Sequence, residues 1–226
     1  MRLSLLASLL CLSASLPAGA GTIVGEVRAE GVAAAGGGGG GAYASRRYKF
    51  AERVDYDRLT DFVVYIDETV PGAPGAPKEP VAVVTQQDAA FSPRVSPVVV
   101  GTTVTWPNRD DIYHNVFSLS DAASFDLGMY RGDDETKRYT FDKPGRVDVF
   151  CAIHANMHCI VLVLPSPYFA RSDDRGRYVI RDVPPGTYRL RAWHERVPAK
   201  LQEVVVPAEG EVRVDFILGF GTTGEP

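Results

Sequence analysis

The sequence predicts an all-β protein, and three observations carry that prediction. No stretch sustains a helical apolar period, many short segments alternate or run apolar in β-branched and aromatic residues, and Gly, Pro, Asn and Asp turns separate them. In chain order the strands are expected at "TIVGEVRA" (22–29), "DFVVYIDE" (61–68), "VAVVTQ" (81–86), "RVSPVVV" (94–100), "TTVTWPN" (102–108), "NVFSLS" (115–120) and "KRYTF" (137–141). They continue with "RVDVFC" (146–151), "CIVLVLP" (159–165), "GRYVIRDV" (176–183), "TYRLRAWH" (187–194), "QEVVVP" (202–207) and "EVRVDFIL" (211–218). About a dozen strands predict two sandwiches or barrels.

The segment ahead of the first strand is of another kind. Arg2, the apolar run "LSLLASLLCLSASL", Pro17 and "AGA" read as a cleavable export signal over 1–20, cut after Ala20. Cys11 belongs to its apolar core, because Leu10 stands where a lipidation signal needs a small residue. No other segment reaches the roughly 18 consecutive apolar residues of a membrane helix. The mature chain is therefore expected to be periplasmic or secreted, with no membrane span. Two stretches punctuate it: "AAAGGGGGGA" (33–42), a flexible surface tract, and "VPGAPGAPKEP" (70–80), a Pro-rich connector. The polar "YASRRYKFAERVDYDRLT" (43–60) reads as exposed loop, which makes 33–60 one flexible extension.

The chain carries 24 Lys and Arg against 28 Asp and Glu. Losing Arg2 with the signal leaves 23 against 28, about −5, which disfavours nucleic acid as a partner. About 206 mature residues hold one domain or two small ones without disulfide staples. Two cysteines remain after processing, Cys151 and Cys159, and in an oxidising compartment such a pair is first read as a disulfide.

Metal binding is the competing reading. The stretch "FCAIHANMHCI" (150–160) contains Cys151, His154 and Met157 as C-x-x-H-x-x-M between two strands, so one short loop can turn all three donors onto one point. A thiolate, an imidazole and a thioether suit copper, and a second imidazole completes a His₂Cys site with a weak axial Met. Of the four histidines, His114 in "TWPNRDDIYHNVFS" is the candidate for that imidazole. A Cys151–Cys159 disulfide would consume the thiolate and join opposite ends of the loop. Cys159 is therefore expected to be a free thiol behaving as a small hydrophobe. His158 is the alternative axial donor, or part of a second metal site, although its strand position favours solvent. Met129 in "FDLGMY" is expected to pack rather than to ligate.

Over 81–164 the residues "FSPRVSPVVVGTTVTWPNRDDIYHNVFS", "FDLGMY" and "YTFDKPGRVDVFCAIHANMHCIVLVL" resemble the cupredoxins, the small blue-copper proteins. The pattern is carried by Phe91, Pro93, Val98, Gly101, Val104, Asn108, Asp110, His114, Asn115, Pro144 and Gly145, and the spacing of His154 and Met157 is that of amicyanin's short ligand loop. The resemblance implies a Greek-key β-sandwich with one copper on His114, Cys151, His154 and Met157. It further implies outer-sphere electron transfer with redox partner proteins, through the exposed edge of His154. For Asn115 it implies hydrogen bonds that hold the first ligand loop against the cysteine loop. Four histidines cannot build the trinuclear centre of a multicopper oxidase beside a blue site, so no enzyme activity is expected. The alternative is a copper-binding, carrier or docking protein without a redox-shuttle role.

A second resemblance lies in "DDRGRYVIRDVPPGTYRLRAWHERV" (173–197), whose D-x-x-G-x-Y and P-P-G-x-Y are similar to the carboxypeptidase regulatory-like, prealbumin-type sandwich. It speaks to fold and not to function. The first strands of such a module are missing just upstream, but "GEV" (25–27) and "VVYI" (63–66) match them near the N-terminus. The cupredoxin unit is thus expected to be inserted into a prealbumin-like sandwich made of 21–69 plus 166–219. His194 in "AWHE" reads as a structural strand-end histidine. The "RGD" at 131–133 carries no function, and "SDDRG" lacks calcium-loop spacing.

Overall fold

The computed structural model describes residues 19–31, 54–77 and 82–219. The segment expected to be an export signal, 1–20, apart from residues 19 and 20, and the 33–42 tract lie outside the described residues. The protein is all-β. The N-terminal part contributes β1 (Gly21–Ala29) and β2 (Val63–Ile66). The middle contributes β3 (Ala82–Val83), β4 (Thr85–Gln87), β5 (Ala90–Ser92), β6 (Val95–Val99), β7 (Thr102–Trp106), β8 (His114–Ser120), β9 (Ala123–Tyr130), β10 (Lys137–Phe141), β11 (Gly145–Phe150) and β12 (His158–Leu164). The C-terminal part contributes β13 (Phe169–Arg171), β14 (Arg177–Val183), β15 (Gly186–His194), β16 (Val197–Val206), β17 (Glu211–Arg213) and β18 (Phe216–Leu218).

The pairing follows a simple division. β1 lies antiparallel to β14 and parallel to β17 and then β18, while β2 sits between β13 and β15 in a sheet ordered β13-β2-β15-β16. The middle strands form a five-stranded sheet, β6-β12-β11-β8-β9, and a smaller one, β10-β7-β3. Three apolar clusters lie between these sheets. One, with Ile23, Val64, Ile66, Ile180 and Leu190, fills the sandwich of N- and C-terminal strands. A second, with Val104, Trp106, Val147, Val149 and Val161, fills the sandwich of middle strands. The third, with Val63, Tyr65, Val95, Ile160, Leu162 and Leu164, joins the two sandwiches.

That joint explains the two longest apolar runs. Successive residues of a strand point to opposite faces. In β2, Val64 and Ile66 enter the outer sandwich while Val63 and Tyr65 enter the joint. In β12, Cys159, Val161 and Val163 face the middle sandwich while Ile160, Leu162 and Leu164 face the joint. A strand covered on both faces must be apolar throughout. β6 tolerates Pro97 because it lies at the edge of its sheet, paired only with β12.

Some boundaries differ from expectation. The segment expected at 81–86 is split into β3 and β4, and the last one, 211–218, breaks at Val214 and Asp215. There the Val214 N–H bonds Val24 O at 2.9 Å and the Asp215 carboxylate accepts the Glu26 N–H at 2.8 Å, so chain and side chain share the pairing. β5, β9 and β13 were not expected. β9 is a sheet-edge strand with a Gly128 at φ +74°; its sequence does alternate, with Ala123, Phe125 and Leu127 packed on the middle core between the polar or small Ser124, Asp126 and Gly128. Part of the expected loop extension is ordered as well: a 3₁₀ turn spans Tyr56–Arg58, and Val54, Tyr56 and Leu59 pack on the outer core. The surrounding charges hid these three apolar contacts from a reading by composition.

Gly176 illustrates how tightly the outer sandwich closes. It sits at φ +78°, and a Cβ there would stand 2.2 Å from Val27 O. Gly176→Ala is expected to cost about 2–4 kcal/mol, left-handed strain plus overpacking, read as a lowered denaturant midpoint at unchanged slope.

Candidate metal centre

The site forms where β8 begins and β11 ends. β11 pairs with β12 through Phe150 and His158, which closes the base of the 151–157 loop, and with β8 through Phe150 and Phe117, which brings His114 alongside. Within the loop, Met157 N–H donates to His154 O at 3.0 Å and Cys151 N–H donates to Met157 O at 3.3 Å. The loop is therefore braced by its own backbone. His114 Nδ1 lies 3.0 Å from His154 Nδ1, and Cys151 Sγ lies 3.7 Å from the same nitrogen. The ligand atoms of His114, Cys151 and His154 all fall within 4.8 Å of one another. Met157 is 1% exposed and packs in the same apolar cluster as Cys151.

Asp110 orients the first imidazole. His114 Nε2–H donates to Asp110 Oδ2 at 2.7 Å, and the same carboxylate accepts the N–H groups of Asp88 and Ala89 at 2.8 and 3.0 Å. Burial disfavours the charged carboxyl, but the bonds from His114, Ala89 and Asp88 outweigh it and hold its pKa below the usual value. With Nε2 protonated for Asp110, the Nδ1 lone pair of His114 faces the cluster. Two imidazole nitrogens 3.0 Å apart repel unless a proton or cation lies between them, so the arrangement fits a metal ion. The Cys151 sulfur beside them is a soft donor of the kind that suits copper. Asp110 was matched in the sequence only as a pattern residue. The missed signal was a carboxylate four positions before a histidine on the same short loop.

Asn115 ties the two ligand loops together. Its Oδ1 accepts the Ala152 N–H at 3.0 Å, its Nδ2 donates to Asp126 Oδ1 at 2.7 Å, and its backbone N–H points at Cys151 Sγ at 3.5 Å. Asn115→Ala is expected to lower copper affinity about tenfold, the lower end of what such supporting partners contribute, measured by competition with a chelator.

The other candidate donors are engaged elsewhere. Strand alternation turns His158 away from Met157. Its Nε2–H donates to Asp148 Oδ1 at 2.8 Å, and its ring stacks on Phe150 with centroids 4.8 Å apart. Cys151 and Cys159 are both free, and burial pushes the Cys159 thiol far above its ordinary pKa, so it stays protonated. Met129 lies on β9, about half exposed. His194 ends β15 against the Phe62 ring at 5.0 Å, and burial lowers its pKa, which keeps it neutral.

No family model and no curated protein matches the chain. Among solved structures it is similar to a purple cupredoxin from Nitrosopumilus maritimus, with 23% identity over 36% of this chain and 98% of that one, at a TM-score of 0.32. It is similar to a reduced Cu(I) form of an amicyanin mutant, with 27% identity over 44% of this chain and 97% of that one, at a TM-score of 0.35. A copper-containing nitrite reductase from Thermus scotoductus SA-01 shares 28% identity over 42% of this chain, at a TM-score of 0.36, and the match takes in only 25% of the reductase. Cupredoxins are thus among the structural neighbours of this all-β chain. Among its described residues, no helix is long and apolar enough to cross a membrane.

Proposed function

We propose that the protein is an exported mononuclear blue-copper electron carrier, with His114, Cys151, His154 and Met157 as ligands. The observation that carries this reading is the convergence of ligand atoms of His114, Cys151 and His154 within 4.8 Å of one another, with Met157 buried in the same apolar cluster as Cys151. Bound copper supplies a one-electron Cu(I)/Cu(II) couple. The chain's own residues hold donor geometry nearly constant: Asp110 fixes the His114 ring, Asn115 joins the loops, and the loop backbone closes on itself. A held geometry suits outer-sphere exchange, since little has to move when an electron arrives or leaves. Beside the ligands Ile112, Tyr113 and Ile153 are 44, 50 and 54% exposed, an apolar surface suited to brief docking of a redox partner.

The middle of the chain, 81–164, is read as a cupredoxin unit inserted into a prealbumin-like sandwich of 21–69 plus 166–219. The pairing of β1 with β14 and of β2 with β15 supports that arrangement. Copper storage or docking without electron shuttling uses the same ligands. The test is to load the mature protein with Cu(II) and record absorption, paramagnetic resonance and voltammetry. Intense red thiolate-to-copper absorption, narrow copper hyperfine splitting and a reversible one-electron wave are expected. A colourless Cu(II) protein would sink the blue-centre reading, and a coloured protein without a reversible wave would favour storage.

A further inference from the structure

His158, the residue after Met157, is held from three directions. Its ring nitrogen donates to Asp148, whose two carboxylate oxygens are in turn bound by Arg146 at 2.8 Å each. Phe150 covers its ring face. The third hold comes from β6's side: Arg94 NH1 points at the His158 carbonyl oxygen at 3.5 Å, and the Arg94 carbonyl accepts the Ile160 N–H at 2.8 Å. Arg94 is itself placed from the other sandwich. Its Nε and NH2 donate to the two carboxylate oxygens of Glu195 at 3.0 and 2.8 Å, a paired fork that fixes the guanidinium plane. Glu195 directly follows β15, 101 positions along the chain, and its side chain is only 15% exposed.

We propose that Glu195 and Arg94 are positioning residues for Met157, through which the outer sandwich helps to set the axial donor of the metal centre. The proposal rests on the reading of Met157 as a metal ligand. A methionine side chain has three rotatable bonds and adapts readily, so a weak axial donor keeps its place only if its backbone is held. The Met157 peptide groups already bond His154 and Cys151 inside the loop. The next carbonyl, that of His158, is where a contact from outside the loop enters, and the Arg94–Glu195 fork supplies it across the joint between sandwiches. The outer sandwich thereby gains a role at the copper site beyond carrying it.

Charge-conserving variants of the full mature chain separate position from charge. Arg94→Lys and Glu195→Asp keep the net charge but break the fork, since an ammonium or a shorter carboxylate cannot reproduce both bonds. If the pair positions Met157, both variants move the copper hyperfine splitting and the reduction potential in the same direction. Both also retain copper against a chelator up to about tenfold less well. The double variant then shows no more than the larger single effect, as expected for residues acting as one unit. In metal-free protein the same variants speed hydrogen exchange at the Met157 amide. Unchanged spectra and potential in Glu195→Asp, the milder variant, overturn the proposal while leaving the blue-copper reading intact. An unsubstituted protein without red absorption overturns that reading and this proposal together.

Discussion

Cys151→Ala is expected to abolish the red absorption of the Cu(II) protein altogether and to weaken copper binding by more than the about 10–100-fold that supporting residues contribute. The colour of such a centre is a thiolate-to-copper transition, and Cys151 is the thiolate of the cluster. Cys159 cannot replace it. Its side chain is fully buried, burial holds its thiol protonated, and it follows the loop as part of β12. The substitution leaves the imidazoles of His114 and His154 in place, so residual Cu(II) binding without colour is the expected remainder. Because Cys151 is a small buried residue at the end of a strand, the fold should survive, and circular dichroism should match the parent. Retained red absorption in this variant would assign the thiolate elsewhere and break the proposed ligand set.

Ile160→Ala is expected to cost about 2–5 kcal/mol, a large share of the roughly 5–15 kcal/mol that holds a typical domain together. Ile160 is fully buried in the joint, among Val63, Tyr65 and Leu162, and deleting its side chain leaves a cavity between two sheets that cannot easily close. The chain's two tryptophans make the result readable, since Trp106 is buried in the middle sandwich and Trp193 packs against the joint. A joint that couples the sandwiches gives one transition, shifted as a whole to lower denaturant. Leu201→Ala, about half exposed on β16, serves as the comparison and should stay within about 0.5 kcal/mol. Equal stability of the two variants would mean that the joint contributes little.

The candidate site was legible to different depths in the sequence. Cys151, His154 and Met157 could be picked out because they share one short loop, and ligand type and spacing within a loop are local properties. His114 needed only the count of histidines and a nearby strand. Asp110, although four residues from His114, was not read as its partner, because that contact depends on how the loop folds back over the Asp88–Ala89 turn. The capture of His158 by Asp148 follows from the pairing of β11 with β12, which no local pattern records. The Arg94–Glu195 fork spans 101 positions and two sandwiches, so it was beyond any reading of motifs. Among the strands, β9 was missed although Ala123, Phe125, Leu127 and Met129 alternate along it, because the intervening Ser124, Asp126 and Gly128 are turn-type residues.

The sequence by itself determined the all-β class, the positions of most strands and the chemical nature of the donors, because apolar periodicity, turn residues and side-chain type act over a few residues. Only the tertiary structure decided that Val63–Ile66 and His158–Leu164 are buried between sandwiches, which donors converge, and which carboxylates bond His114 and His158. Those outcomes depend on which sheets stack and which strands become neighbours. They are set by burial of apolar surface and hydrogen bonding across distances that sequence order does not display.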